Sequence, residues 1–142
     1  MSITPEQFAF FLRRSPQIIE DAVGPALFAA AQQIVISAQV SITEGAVSGK
    51  NHVASLPGEA PNNDSAVLAN NIEANQIEKL KSEVSSNAPY AADLEFGNSK
   101  IQPRPYMRPA AIKETPTARK LVEKAVKRGI REAMRRANNA SR

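Results

Sequence analysis

The residues best suited to specific contacts are concentrated in one segment, residues 87–110. This segment holds both tyrosines of the chain, one of its five phenylalanines, four of its ten prolines and two arginines. Arginine and tyrosine are enriched at protein interfaces, and prolines remove conformational freedom from a segment before it binds. The composition of residues 87–110 therefore predicts contacts with another protein rather than catalysis.

The second half of this segment is rich in proline. Prolines at positions 103, 105 and 109 exclude both a helix and a central strand, so residues 101–109 are expected to form a stiff, extended arm. The side chains that would project from this arm are Arg104, Tyr106 and Arg108. Two interpretations stay open. The arm docks on another protein, or it is a rigid connector whose arginines pair with Asp93 or Glu95 of the same chain.

Catalytic and metal-binding patterns are weak along the whole chain. There is no cysteine and one histidine, His52, and neither Glu59 nor Asp64 stands at a ligand spacing from it. The pair Asp93 and Glu95 has no recognisable base or ion partner in the sequence, and there is no glycine-rich nucleotide loop. We therefore expect no catalysis, no metal and no cofactor.

Two helices are expected ahead of this segment, within residues 4–43. Thr4, Pro5 and Glu6 supply a cap, a proline at the first helical position and an acid in the first turn. Ser15 with Pro16 repeats this signal, which predicts a short helix and then a long one over residues 16–43, with a kink at the glycine and proline at 24 and 25. The long helix carries an apolar stripe of Ile19, Val23, Leu27, Ala30, Ile34, Ala38 and Ile42.

The middle of the chain has the pattern of a loop followed by a hairpin. Residues 44–64 contain three glycines and two prolines without a helical or strand period, which is typical of a long loop that a partner orders. Residues 70–77 and 80–86 alternate partially, which predicts a two-stranded hairpin. Because two strands alone are marginal, they should pack on the long helix or pair with a neighbouring subunit. Residues 88–96 predict a short helix that ends at Gly97 in a left-handed cap.

Net positive charge is confined to the C-terminal segment. Residues 113–142 hold ten Lys or Arg against three Asp or Glu, whereas residues 1–112 hold eight against eleven. Residues 117–138 have the period of an amphipathic helix. Its expected apolar face comprises Ala118, Leu121, Val122, Ala125, Ile130, Ala133 and Met134. The candidate DNA-facing residues on the basic face are Lys124, Arg128, Arg131 and Arg135. The alternative is a basic face that contacts solvent or an acidic partner, because no aromatic stacking platform accompanies it.

These elements define the expected fold class: α+β, with long N-terminal and C-terminal helices packed on a small antiparallel sheet, a long loop and a proline-rich arm. The 142 residues are expected to form one domain, with helices over 1–43, the loop over 44–64, the hairpin and arm over 65–112 and the basic helix over 113–142. Aromatic residues make up only 5%, so the core is aliphatic and modest, and partner subunits could complete it. Charges at residues 13–21 interrupt the apolar N-terminal stretch, so we expect neither a signal peptide nor a membrane span, and a cytoplasmic location at synthesis.

The central motifs resemble those of a known family. They are Ala-Pro-Tyr-Ala at 88–91, Leu-Glu-Phe-Gly at 94–97 and Arg-Pro-Tyr-Met-Arg-Pro-Ala at 104–110, preceded by Leu-Pro-Gly-Glu-Ala-Pro at 56–61. In combination they are similar to the tail-completion, or tail-terminator, proteins of long-tailed bacteriophages and related tailed particles. The similarity covers about residues 55–110. Asn98 stands where this family usually has threonine, and Tyr106 stands where it usually has phenylalanine.

The resemblance implies a structural virion protein without enzymatic activity. It would form a ring of six copies that caps the tail tube and joins it to the head-side connector. It would reside at the head–tail junction after assembly in the host cytoplasm, in contact with its own copies, the tail-tube protein and the connector or stopper protein, with DNA passing through the channel and no membrane. The implied partner-docking positions are Pro57, Gly58, Glu59, Pro61, Tyr90, Glu95, Phe96, Gly97, Arg104, Pro105, Tyr106, Arg108 and Pro109. The alternatives are a head-side connector or stopper, and a DNA-binding protein that uses the basic helix.

Overall fold

A computed structural model describes residues 2–44, 51–62 and 66–140 of the chain. The elements are helix α1 (Pro5–Thr43), helix α2 (Val67–Asn70), strands β1 (Ile72–Glu78) and β2 (Lys81–Ser86), helix α3 (Ala91–Phe96) and helix α4 (Met107–Asn139). The expected α+β class is confirmed, because two long helices pack with a small antiparallel sheet. Residues 51–62 of the expected loop contain turns but no strand and no helix beyond a single 3₁₀ residue.

Helix α1 is continuous over 39 residues, so the expected division at Ser15 and Pro16 is wrong. The predicted start is confirmed: the Thr4 hydroxyl accepts from the Gln7 amide at 3.2 Å, and the Gln7 side chain accepts from the Thr4 amide at 2.9 Å. Pro16 and Pro25 both lie inside the helix. An interior proline costs about 3 kcal/mol. Tertiary packing of the surrounding turns offsets this cost, and every residue of the predicted apolar stripe is buried or half-buried.

Helix α4 begins at Met107, ten residues before the expected start, so the extended arm is shorter than predicted. The expectation that prolines exclude helix from residues 101–109 is wrong at its C-terminal end. Pro109 falls in the first turn, where backbone amides have no intrahelical partner, so it removes no helical hydrogen bond. Pro116 lies deeper inside the helix. The extended part of the arm is therefore residues 101–106.

Helices α1 and α4 form the main packing interface, and they run antiparallel. Near the start of α1, a Cβ atom on Gly129 would lie 3.0 Å from the Ile19 Cα atom, which marks a very close approach of the two backbones. Near the end of α1, Val40 and Ala110 line one groove. The buried residues of α4 are all small, namely Ala110, Ala125, Gly129, Ala133 and Ala137. Such residues let two helices approach closely.

The predicted apolar face of α4 is wrong at two positions. Ile130 and Met134 are exposed, whereas Gly129 and Ala137 are buried in their place. Each of the two exposed residues follows a buried one, and one residue rotates the helix by about 100°. The close approach of α1 therefore selects the small side chains and turns the larger apolar ones outwards.

The hairpin packs along α1, and its predicted existence is confirmed. Ile72 pairs with Ser86 and Ala74 pairs with Val84 in an antiparallel register. At the turn, Lys79 Nζ lies 2.8 Å from Asp21 Oδ1 on α1. Within the described residues the sheet has two strands, so each strand has an unpaired edge. The core around the base of the hairpin includes Ala38, Ile42, Leu68, Ala69, Ile72, Ala88, Ala91, Tyr106 and Ala110.

Helix α1 also has the length and composition of a membrane-spanning helix. An 18-residue window of it has a mean hydropathy of 1.4, and 22% of this window is buried. Residues 22–43 carry no charge, and the charged residues 13, 14, 20 and 21 all lie before this stretch. A core helix of a soluble protein has the same signature, so the absence of a membrane span stays a prediction.

Candidate docking surface

Glu95 holds the start of α4. Its carboxylate accepts from the backbone amides of Tyr106, Met107 and Arg108 at 2.8, 3.0 and 2.9 Å. Tyr106 at the N-cap position offers no side-chain cap, so Glu95 satisfies amides that would otherwise lack an acceptor. A carboxylate there also interacts favourably with the positive end of the helix dipole. Glu95 therefore joins α3 to α4 and fixes the direction in which α4 leaves the arm.

The arginines of the arm make no ion pair with Asp93 or Glu95 in the described part of the chain. The ion pairs that the connector interpretation predicted are therefore wrong, because backbone amides and not guanidinium groups bind Glu95. Arg108 is exposed. Arg104 is half-buried, and its Nε atom is buried without a hydrogen-bond partner.

Tyr106 anchors the arm to the hairpin. Its side chain is 1% exposed, and its hydroxyl lies 2.7 Å from the Ser86 hydroxyl at the end of β2. Burial raises the pKa of the Tyr106 phenol above its usual value, the hydrogen bond to Ser86 opposes this shift, and the nearby Glu95 charge adds to it. The side chain of Tyr106 is therefore a structural anchor and is not accessible to a partner in this conformation.

Gly97 allows the chain to turn from α3 into the arm. Its φ of 73° is positive, as expected, but its ψ of 172° is not that of a left-handed helical cap, so this detail of the prediction is wrong. A Cβ atom at Gly97 would lie 2.8 Å from Pro103 Cδ. The next turn is closed by Asn98, whose side-chain oxygen accepts from the amides of Lys100 and Ile101 at 2.8 and 3.0 Å. The turn is thus compatible only with glycine at position 97.

The loop and the arm meet, although more than forty residues separate them in sequence. The Gly58 amide donates to the Pro103 carbonyl at 2.9 Å. Both segments line a groove of about 300 Å³ between the end of α1 and the start of α4, which we call the loop–arm groove. Its lining residues are Ser37, Val40, Ser41, Glu44, Gly58, Ala60, Pro105, Tyr106, Pro109, Ala110 and Lys113. The contributions of Ser37, Val40 and Ser41 were missed from sequence, because they lie on α1 and no local motif marks them.

The predicted docking residues divide into accessible and buried ones. Phe96 is 78% exposed, which is the highest value among the large hydrophobic residues of the described ranges. The other accessible positions are Pro57, Gly58, Glu59, Tyr90, Arg108 and Pro109. Glu95, Gly97, Arg104 and Pro105 are half-buried, and Pro61 and Tyr106 are buried. The accessible group alone is able to meet a partner in this conformation.

The predicted DNA-facing residues of α4 are exposed at all four positions. Arg128 reaches the Ala22 carbonyl at 3.5 Å. Arg135 binds both oxygens of Glu132, at 2.8 and 2.7 Å, and Arg136 binds the same carboxylate at 2.7 Å. Hydrogen bonds from Arg135 and Arg136 lower the pKa of Glu132 to about 2. Lys113 precedes residues 117–138, which have the predicted amphipathic period, and it lies within α4 because the helix starts earlier than its prolines indicate.

No group of three His, Asp or Glu side chains in the described residues is arranged to hold a metal ion. Asp64, considered above with His52 and Glu59, lies outside the described residues. Comparison of the chain with protein-family models, with curated proteins and with solved structures finds no match. The functional interpretation therefore depends on the resemblance of the central motifs and on the surfaces described above.

Proposed function

We propose that this chain is a structural protein of the head–tail junction of a tailed particle, a tail terminator that forms a ring on the tail tube and joins it to the head connector. The observation that carries the proposal is the contact between the Gly58 amide and the Pro103 carbonyl. The two motif segments that resemble the tail-terminator family are far apart in sequence, and they line one groove together. Motif residues that converge on one surface are what a shared docking function requires.

The uncovered apolar surface of α1 supports assembly with further copies. Four large apolar residues of α1 are exposed in the single chain, namely Phe8, Leu12, Ile36 and Val40. Ile36 and Val40 are 50% and 45% exposed, one helical turn apart, and Val40 lines the loop–arm groove. Burying such apolar surface is favourable by about 25 cal/mol per Å². A second subunit that covers this face would therefore stabilise both copies.

The hairpin offers a second contact between copies. Both of its edges are unpaired in the described residues, and the exposed Ile77 and Leu80 lie around its turn. Strand edges of this kind pair readily with another chain. In the proposed ring each subunit contributes two different surfaces, so the contacts are head-to-tail and close by rotation, in six copies by analogy with the family. The hairpin and arm join subunits, and the loop contacts the tube or the connector.

The proposed action is mechanical and requires no catalytic group. Assembly would take place in the host cytoplasm, and the mature location would be the virion neck. A head-side connector or stopper is the second candidate, because it would use the same kinds of surface at a neighbouring position along the neck. Particles assembled without the protein distinguish the two. Tails of uncontrolled length indicate a terminator, whereas full-length tails with leaking heads indicate a stopper.

The proposal is tested by assembly of the purified chain. Sedimentation velocity and negative-stain imaging, with and without the tail-tube protein of the same particle, should reveal rings. Arg108→Ala should reduce ring formation or tube binding at least tenfold and leave the unfolding midpoint unchanged, because its side chain is exposed and unpaired within the described chain. The matched control is Arg119→Ala, an exposed arginine of α4 that lies outside the central motifs.

Three outcomes would contradict this proposal. The first is a chain that stays monomeric with the tube protein present. The second is an Arg108→Ala variant that assembles as well as the Arg119→Ala control. The third is flotation of the chain with lipid vesicles in place of ring formation, which would assign the apolar surface of α1 to a membrane.

A further inference from the structure

The outer face of α4 carries a continuous row of cations. We call this row the cationic rail, and it comprises Lys113, Lys120, Lys124, Lys127, Arg128, Arg131 and Arg135. With about 3.6 residues per turn, all seven fall within an arc of about 100° around the helix axis. With about 1.5 Å of rise per residue, the rail is about 33 Å long. Every one of its members is exposed.

No acidic residue of α4 falls within the arc of the rail. Glu114, Glu123 and Glu132 are the acids of α4, and the same helical spacing puts each of them outside the arc of the rail. Glu132 lies beside it and is bound by Arg135 and Arg136. The core side chains of α4 point away from the rail, because Gly129 and its buried neighbours face α1. The result is a long, exposed and predominantly positive surface. Acids lie along its edges, with Glu123 beside Lys120, Lys124 and Lys127, and with Asp21 and Glu132 beside Arg128.

The composition of the rail distinguishes between its possible partners. A protein-binding site has an apolar or aromatic centre that is depleted of charged residues. The rail has no aromatic residue, and Leu121 is the one apolar residue that lines the pocket among Lys120, Lys124 and Lys127. The exposed aromatic residues Tyr90 and Phe96 lie elsewhere, on and beside α3. Single-stranded nucleic acid is bound with the help of stacking aromatic side chains, which are also absent from the rail. A stiff polyanion with regularly spaced charges fits the rail better than either.

We infer that the cationic rail of α4 binds the phosphate backbone of double-stranded DNA. The length of the rail is close to one turn of the duplex, about 34 Å. Lysine and arginine side chains alone contact phosphates without reading bases, so the binding is independent of sequence. This inference does not depend on the proposed ring, because the complete rail is present in a single chain.

The test measures binding of the full chain to a labelled duplex of 30 base pairs by fluorescence anisotropy, at salt concentrations between 50 and 200 mM. Arg135 is held by Glu132, so the other six rail cations would neutralise six phosphates. The logarithm of the binding constant should then fall with the logarithm of salt with a slope near −5. The rail variant replaces Lys120, Lys124 and Arg131 with glutamine. These three side chains make no ion pair or hydrogen bond in the described structure, so the fold should be retained.

The rail variant should lose about three units of salt slope and at least tenfold in affinity at 100 mM salt. The matched control replaces Arg14, Lys81 and Lys100, three exposed cations outside α4, with glutamine. It has the same net charge as the rail variant but should keep most of the slope. Circular dichroism and sedimentation confirm that the two variants share one fold and one oligomeric state.

Four results would overturn the inference. The first is the absence of binding to the duplex at 50 mM salt. The second is an equal loss of affinity in the rail and control variants, which would mean that only the net charge matters. The third is tighter binding of single-stranded DNA of equal length than of the duplex. The fourth is competition by polyglutamate of equal charge that is as effective as competition by unlabelled duplex. The last result would assign the rail to an acidic protein partner.

Discussion

The region around the arm and the outer face of α4 use polar and charged residues in opposite ways. Around the arm, Glu95 and Tyr106 make short hydrogen bonds in a half-buried or buried setting and determine the shape of the chain. On α4, the cations are exposed and contribute almost nothing to the fold. Chemical type therefore does not tell which residues meet a partner. Replacing Glu95 or Tyr106 should therefore change stability, whereas replacing a cation on the outer face of α4 should change only binding that depends on salt.

The largest expected effect is the loss of the Glu95 cap. Glu95→Ala should lower the free energy of unfolding by about 2–3 kcal/mol, because three amides at the start of α4 lose a charged acceptor. Urea unfolding followed by circular dichroism measures this change. Glu95→Gln keeps one oxygen acceptor without the charge, so its free energy of unfolding should lie between those of wild type and Glu95→Ala. A Glu95→Ala variant as stable as wild type would mean that water replaces the carboxylate and that the cap does not hold the arm.

This cap illustrates what the sequence could and could not predict. The stripe on α1 and the hairpin were predictable because their periods are local, and the structure retains both. The Glu95 carboxylate acts across eleven to thirteen positions, and no local pattern indicates that a glutamate will bind amides that far along the chain. Its role required the structure.

The start and the packed face of α4 show two further limits of prediction from the sequence. Pro109 and Pro116 look like helix breakers, yet one falls in the first turn and packing compensates for the other. The small residues at 125, 129, 133 and 137 recur every fourth position, a spacing that could have indicated the packed face. The greater hydrophobicity of Ile130 and Met134 concealed it. Of the thirteen residues predicted to dock, seven are exposed, but no sequence signal separated them from the others. The α1 side of the loop–arm groove was not predictable either.

Alkaline pH provides a second test of the buried setting around the arm. The pKa of the Tyr106 phenol is raised chiefly by burial, so the unfolded chain releases this proton at lower pH than the folded chain does. The stabilisation is therefore complete below pH of about 10 and is lost as the pH rises through the folded pKa. Urea unfolding at pH 8, 9.5 and 10.5 should show this decline in wild type.

The matched variant for this test is Tyr106→Phe. It should lose about 1 kcal/mol at pH 8, because the Ser86 hydroxyl loses its partner, and it should decline less steeply than wild type towards pH 10.5. The pKa of Lys79 is also raised, mainly by its hydrogen bond to Asp21, but both proteins share that pair, so the difference between them isolates the phenol. Parallel declines in the two proteins would show that Tyr106 is accessible to water.

The smallest expected effect lies on the outer face of α4, where Glu132 binds Arg135 and Arg136. Glu132→Gln removes that carboxylate, so both arginines become available to phosphate, and duplex affinity at 100 mM salt should rise about two- to fivefold. Glu83→Gln makes the same change of net charge at an exposed acid of β2, away from α4. It should raise affinity less than Glu132→Gln does. Equal gains would mean that the duplex senses only the total charge of the chain. The cationic rail would then not be a distinct DNA-binding surface.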